Sequence, residues 1–350
     1  MDLYIYNPKI EGLGVIDTFS SLRWRRKYFE PGEFELHCPA TAENVALLSE
    51  DNIIHRLDRT EAGKIEGIAI NGTDNGDEIS ATGRFLSSQL VDRIITPTIN
   101  FSGTTENAMR KIVSDNAITA RPIDLLGLGA LNGFTPVTSF QATGKNVLTT
   151  LTALAKSSNI GYRTRLDVPN KALIFETYQG TDKSVTQTAR PYVLFSDRFN
   201  NIANPTYTLN GTAYKNYAYV AGEGEGIARI IVIVDRTNGE PRRELWVDAR
   251  DLQKGELSDT DYKAQLTQRG LEKLAECAAV ESFEADAVDT ANFEYLTDWD
   301  LGDTVSFEKW GVLLNRRVTE VEEIYENGVK TVTPVCGNPL PETLDLGSDT

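Results

Sequence analysis

The sequence predicts a β-rich α+β protein built from several modules, and three observations carry that prediction: the chain's length, alternating runs at both ends, and helical spacing in the middle. At 350 residues the chain exceeds one ordinary core, and roughly 150 residues per domain implies two or three packed units. Near the start, Phe34 and Leu36 alternate with Glu33, Glu35 and His37, the period-two pattern of a half-buried antiparallel strand. Farther on, Val147, Leu148, Leu151, Leu154 and Ala155 recur at helical intervals and form one apolar stripe.

Residues 1–95 read as short strands punctuated by Gly12, Gly14, Pro31-Gly32, Pro39 and the turn-rich run from Asn71 to Asp77. Ile65 to Ile70 faces Glu78 to Thr82 across that run, and only the polar stretch Thr41 to Ser49 has helical character. The expectation is a small β-barrel or sandwich. Residues 96–189 form an α+β unit. Thr104 is a cap for a helix carrying Ala108, Met109, Ile112 and Val113. The Val147 helix ends at Ser157-Ser158-Asn159, before a hairpin of Ile160 to Val168 and Lys171 to Tyr178 turned by Pro169-Asn170. Gly127 to Gly133 is expected to be loop. Residues 190–257 form a β-rich connecting segment, with strands at Ala218 to Ala221 and Ile227 to Val234 around Gly222-Glu223-Gly224-Glu225-Gly226. Residues 258–339 open with a capping-box pair, Ser258 and Asp261, on a helix that sets Tyr262, Leu266, Leu274 and Cys277 on one side. A second β module follows, ending in a hairpin of Val318–Tyr325 and Val329–Val335 whose Asn327-Gly328 suits a primed turn. Residues 340–350 are acidic and sparse, the composition of a mobile tail.

Composition narrows the function classes. No run approaches the roughly 20 apolar residues of a membrane span, and Met1 to Tyr6 lacks a basic-then-apolar signal. Stable membrane insertion is not expected. Cys38, Cys277 and Cys336 are scattered, odd in number and without metal-ligand spacing, so they read as reduced core residues. Lys plus Arg number 35 against 51 for Asp plus Glu, a net charge of −16, which argues against specific nucleic-acid binding. An acidic wall repels DNA and would suit a passage through which DNA slides.

Reactive chemistry is thinly supplied. There are two histidines, His37 and His55, too few for a three-histidine metal site. His37 and Cys38 are adjacent on a strand and so point to opposite faces. No metalloprotease, nucleophile-elbow or Walker motif is present. Gly222 to Gly226 leads into a β-branched run, whereas a phosphate loop needs a helix N-terminus there. The carboxylate pairs Glu223/Glu225, Asp248/Asp251 and Asp286/Asp289 are of the kind a glycosidase uses, but an acidic chain produces such pairs by chance. Asp74-Asn75-Gly76-Asp77 lacks the ligand series of a calcium loop and reads as a turn. Trp24, Trp246, Trp299 and Trp310 lie in or beside β segments, where they serve core packing, a subunit interface or a sugar ring.

A run of motifs in fixed order resembles the baseplate-hub proteins at the tail tip of siphophages and prophages. Leu22-Arg23-Trp24-Arg25-Arg26-Lys27-Tyr28 comes first, then Pro31-Gly32-Glu33-Phe34-Glu35-Leu36, Gly63-Lys64-Ile65-Glu66-Gly67-Ile68, and Gly83-Arg84-Phe85-Leu86 leading to Asp92-Arg93-Ile94-Ile95. Near the end stand Asp300-Leu301-Gly302-Asp303-Thr304-Val305, Arg317-Val318-Thr319-Glu320-Val321 and Thr333-Pro334-Val335-Cys336-Gly337. The resemblance implies two β-barrel-like domains with intervening α+β domains, and three chains closed into a homotrimer with a pseudo-sixfold face. It implies docking on the tail tube or a distal tail protein, a channel for the tape-measure protein and DNA, and contacts with other tail-tip or receptor-binding subunits. It implies a non-enzymatic structural role in the virion, after assembly in the host cytoplasm, with no catalytic, cofactor-binding or metal residues. The chain stops soon after its last hairpin, so it resembles the hub alone, with host-binding or hydrolytic roles left to other subunits. The competing expectation is a carbohydrate-active wall adhesin or glycan hydrolase of the tail tip, using a carboxylate pair.

Overall fold

Alternation in the first segment becomes a run of antiparallel strands: β1 (Leu3–Tyr6), β2 (Gly12–Ile16), β3 (Ser21–Lys27), β4 (Glu33–Pro39), β5 (Ile53–His55), β6 (Ala62–Thr73) and β7 (Gly76–Phe85). The structure is a computed structural model and describes residues 1–73, 76–288, 292–326 and 328–337. Strand order in this first lobe is β3-β4-β7-β6-β5-β1-β2. Leu3, Ile5, Ile16, Trp24, Phe34, Leu36, Cys38, Ile54, Ile65 and Ile79 meet in one buried cluster, so every strand of the lobe feeds a single core. Between β4 and β5, the short helix α1 (Ala42–Leu47) starts at Thr41, whose side chain accepts from the Asn44 N–H.

The α+β unit that follows contains β8 (Ile99–Thr104), α2 (Thr105–Val113), β9 (Leu126–Leu128), β10 (Val137–Ala142), α3 (Val147–Ser158), β11 (Gly161–Asp167) and β12 (Ala172–Tyr178). Thr104 and Asn146 cap the two helices, and Asn159 ends α3 in the left-handed conformation at φ 60°. Met109, Ile112, Leu151 and Leu154 pack with Tyr162 and Phe175. One expectation needs correction here. Gly127 and Leu128, assigned to loop, belong to β9, which pairs in parallel with β12 because Leu126 and Leu128 pack on this core.

Beyond residue 190 come β13 (Leu194–Ser196), β14 (Ile202–Asn210), β15 (Tyr217–Ala221), β16 (Ile231–Asp235), β17 (Glu244–Asp248), α4 (Asp259–Glu276), β18 (Val280–Ala287), β19 (Thr304–Lys309), β20 (Val312–Glu326) and β21 (Val329–Gly337). The expected strand at residues 227–234 begins only at Ile231: Gly226 takes φ 54° in a 3-10 turn, and Arg229 donates back to the carbonyls of Gly222 and Ala221. Ser258 caps α4 by accepting from the Asp261 N–H. Tyr262, Leu266 and Leu274 of α4 pack on Ala218, Val220, Val234 and Val247. The sequence grouping joins α4 to the strands after it, whereas its apolar side meets the strands before it. A Cβ at Gly270 would lie 2.6 Å from Val234, so glycine lets helix and sheet approach closely.

The second lobe runs β14-β18-β21-β20, with β19 beside β20 and β13 beside β19. Phe195, Phe283, Trp299, Val305, Phe307 and Val321 form its core. The two lobes share one plan. β6 bulges between Ile65 and Gly67 opposite Gly83 and Thr82, and β20 bulges between Val318 and Glu320 opposite Cys336 and Val335. Both hairpins close on equivalent pairs, Thr73 with Gly76 and Glu326 with Val329, at the same offset in residue number as the bulges. Before its bulge β6 pairs with β5, as β20 pairs with β19. β4 and β3 then follow β7, as β18 and β14 follow β21. The lobes are joined edge to edge, since the part of β20 beyond its bulge pairs antiparallel with β3. Asp74, Asn75, Asp289, Asn327 and residues 340–350, which carry the expected turns, one member of a carboxylate pair and the tail, lie outside the described residues.

Candidate functional site: a charged strand junction

The junction pairs a basic strand with an acidic one. β3 contributes Arg23, Arg25, Arg26 and Lys27, and β20 contributes Glu320, Glu322 and Glu323. Arg25 Nε donates to Glu320 at 2.8 Å, and Arg23 pairs with Glu322. Below the sheet, the loop after β5 sends in Arg56 and Arg59. Arg59 Nε lies 2.6 Å from Glu323, a residue with no exposed surface, and Arg56 donates to the Tyr325 hydroxyl at 2.8 Å. Arg56 also stacks over the rings of Trp24 and Tyr325.

A second buried group ties in the α+β unit. Arg26 meets Glu61 at 2.9 Å, Asp300 at 2.6 Å and the Tyr295 hydroxyl at 2.8 Å. Arg163 of β11 faces the same Glu61 at 3.7 Å and donates to Glu176 at 2.7 Å. Burial opposes the charge on Glu61, but Arg26 and Arg163 outweigh it and hold the carboxyl below its ordinary range. Glu323 follows the same balance: burial against it, hydrogen bonding from Arg59 and the charges of Arg56 and Arg59 for it, with a lowered pKa as the result. At Glu320 burial wins over Arg25 and the pKa is raised. Charges so placed fix the mutual position of three parts of the chain, because an ion left alone in such a site is strongly disfavoured.

Glycines tighten the same region. A Cβ at Gly180 would fall 1.9 Å from the Gly302 carbonyl, and one at Gly161 would fall 2.5 Å from the Tyr28 ring. The segment leaving β12 is thereby laid directly on the second lobe.

Residues weighed as reactive are spread apart. Glu223 accepts from the Lys254 N–H, and Asp251 is held by Arg269. Asp248 is lowered to about 2, chiefly by hydrogen bonding from Arg250. Asp286 accepts from Thr333 and Asn204. His37 and Cys38 point to opposite faces: the imidazole lies between Glu35 and Glu78, while burial pushes the Cys38 thiol up to about 11. Cys336 is also buried, but Cys277, expected in the core, is half-buried at the end of α4. Trp24 and Trp299 are core residues, whereas Trp246 and Trp310 are more than half exposed.

Two clefts stand out. One of about 210 Å³ between α3 and α4 is lined by Phe140, Leu252, Gln265 and Glu272, and one of about 330 Å³ by Asp51, Lys64, Glu66 and Arg84. Among the described residues no group of three or more His, Cys, Asp or Glu side chains could hold a metal ion, and no helix is long and apolar enough to cross a membrane.

The family model for the siphovirus ReqiPepy6 Gp37-like protein matches residues 2–338. The chain belongs to this family. Its fold is that of phage tail proteins. The tail protein from Neisseria meningitidis MC58 superimposes with a TM-score of 0.62 at 13% identity, covering 95% of both chains. The 43 kDa tail protein of prophage MuSo2 from Shewanella oneidensis gives 0.61 at 12% identity, covering 97% of this chain and 99% of the other. The Escherichia coli c3393 protein, described as a type VI secretion component structurally similar to T4 tail proteins gp27 and gp5, gives 0.50 at 12% identity over 97% and 77%. Among curated proteins none matches. The β-rich architecture and the likeness to tail and baseplate proteins agree with what the motif order implied.

Sequence reasoning picked out β3 and β20 as motifs without seeing that they are neighbours. The available signal was opposite charge: a basic strand early in the chain and an acidic one late. It also passed over Glu106, a fully buried carboxylate at the start of α2 that accepts from the N–H groups of Asn132, Gly133 and Phe134 and from the Thr177 hydroxyl.

Proposed function

We propose that this chain is the structural hub of a tail tip, with no enzymatic activity, in which three copies close into a ring. The observation that carries the reading is the fusion of two lobes of one plan through the β3–β20 pair. Three such chains would present six similar lobes, and a threefold tip could then seat on a sixfold tail tube. The ring would join the tube or distal tail protein to the remaining tip subunits and leave a channel for the tape-measure protein and DNA. A net charge of −16 suits a passage that must not retain DNA. In this reading the chain assembles in the host cytoplasm and works in the virion.

We also read the chain as two lobes with two inserted units. Residues 1–95 form one lobe. Residues 190–210 with 280–337 form the other. Residues 96–189 and 211–279 are the insertions.

Light scattering tests the ring. The expected mass is three times the chain's 38.7 kDa. A strict monomer at high concentration, with no trimer formed on adding the tail-tube protein, counts against it.

A further inference from the structure

Where α4 meets α3 and β10, a cleft of about 210 Å³ remains between them. One side of it is apolar at Phe140 and Ala142 of β10, Ala153 of α3 and Leu252. The other side is α4 itself, which contributes Gln265, Arg269, Glu272 and Glu276 at helical spacing from one face. A cleft of this size is below the roughly 300 Å³ at which drug-sized sites begin. Its occupant must be slim.

The cations along that face are already engaged. Arg269 turns onto Asp251 at 3.1 Å, and Lys273 holds both carboxylate oxygens of Glu276, at 3.0 and 2.8 Å. Two acceptors are not. Gln265 is 3% exposed, and its Oε1 is buried with no hydrogen-bond partner among the described residues. Glu272, whose side chain is 15% exposed, takes a hydrogen bond from the Gln268 amide at 3.2 Å, while Arg269 Nε stays 3.9 Å away. Burial raises its pKa in spite of Gln268 and Arg269. A buried acceptor without a donor is unfavourable, so the cleft calls for donors at two points.

Gln265 and Glu272 are seven residues apart, two helical turns or about 10 Å along the axis. A single ammonium cannot serve both. We propose that the cleft binds a linear aliphatic diamine, with one ammonium on the Glu272 carboxylate, the other on Gln265 Oε1, and the methylenes along Phe140, Ala142, Ala153 and Leu252. Near neutral pH an alkylamine is protonated, as lysine is, and its nitrogen brings three N–H donors and no acceptor. The bond to Glu272 is charge-assisted and the stronger of the two. An occupied cleft ties α3 to α4 and so fastens the α+β unit to the unit of β15 to β17. This site is independent of the ring reading.

Calorimetric titration of the full chain with 1,5-diaminopentane tests it, beside 1-aminopentane and pentane-1,5-diol. The expected result is saturable binding of one diamine per chain, with the monoamine and the diol each at least tenfold weaker. Glu272→Gln is expected to weaken the diamine at least tenfold, and Gln265→Leu to reduce it to the affinity of the monoamine while leaving the monoamine's own affinity unchanged. Bound diamine is also expected to slow amide exchange in α3 and α4. A folded, unaltered chain that shows no saturable binding overturns the site and leaves ordered water as its occupant. Equal affinity for monoamine and diamine, or a diamine affinity unchanged in either variant, overturns the two-ended contact. If one variant fails to fold by circular dichroism, the other variant and the three ligands decide.

Discussion

Glu323 shows how much a single residue holds at the junction. It has no exposed surface, and Arg56 and Arg59 both point at it. Glu323→Ala would leave two buried guanidiniums with only the half-exposed Asp58 as counter-ion, and the expected loss is about 3 kcal/mol. Glu66, which pairs with Arg84 at the surface, is the comparison: Glu66→Ala is expected to cost at most about 1 kcal/mol. Urea unfolding followed by tryptophan emission measures both. The lowered pKa values of Glu61 and Glu323 add a pH dependence. A carboxyl that is more acidic in the folded state binds fewer protons there than in the unfolded chain. Its stabilisation is therefore complete above the ordinary value of 4.5 and is lost as pH falls through the folded value. The urea midpoint is expected to drop below pH 4.5, and to drop less for Glu61→Gln than for the unaltered chain. A midpoint that rises on acidification sinks this account.

At the scale of elements, local signals were legible where the cause of structure is local. Thr104, Ser258 and the Val147 stripe marked the three longer helices because caps and apolar periodicity act within a few residues. Alternation at Phe34 and Leu36 gave the buried face of β4 for the same reason. What alternation cannot give is the neighbour. The partner of Trp24 is Glu323, almost the whole chain away, and β9 was passed over because its three residues become a strand only by lying beside β12. Glu106 organises that region: its carboxylate collects three backbone N–H groups and one hydroxyl. Hydrogen bonds to a charged group contribute about 1.5–3 kcal/mol each. Glu106→Ala is therefore expected to lower stability by about 3 kcal/mol and to speed amide exchange at Asn132, Gly133 and Phe134 while leaving β15 to β17 unchanged. Exchange measured by mass spectrometry checks both halves, and uniform acceleration would assign Glu106 to the general core instead.

For the molecule as a whole, the continuous sheet is expected to make the two lobes one cooperative body although their sequences are far apart. β3 is flanked by β4 of its own lobe and by β20 of the other, and Arg59 of the first lobe pairs with Glu323 of the second, which Arg56 faces at 3.5 Å. A fragment ending at residue 95 would bare the outer edge of β3 and leave those guanidiniums with the half-exposed Asp58 in place of the buried Glu323. It is expected to unfold or self-associate, even though it contains nearly all of its own core. The unit of β15 to β17 and α4 is held differently. Its core is its own, and it meets the rest of the protein through α4 against β10 and α3. Native-state hydrogen exchange of the full chain should therefore find β3 and β20 opening together at the highest free energy and the α4 unit opening separately at a lower one. If β3 opens with β4 while β20 stays closed, the junction is a contact between two independent lobes, and a ring built on it would lack the stiffness that mechanical coupling along a tail demands.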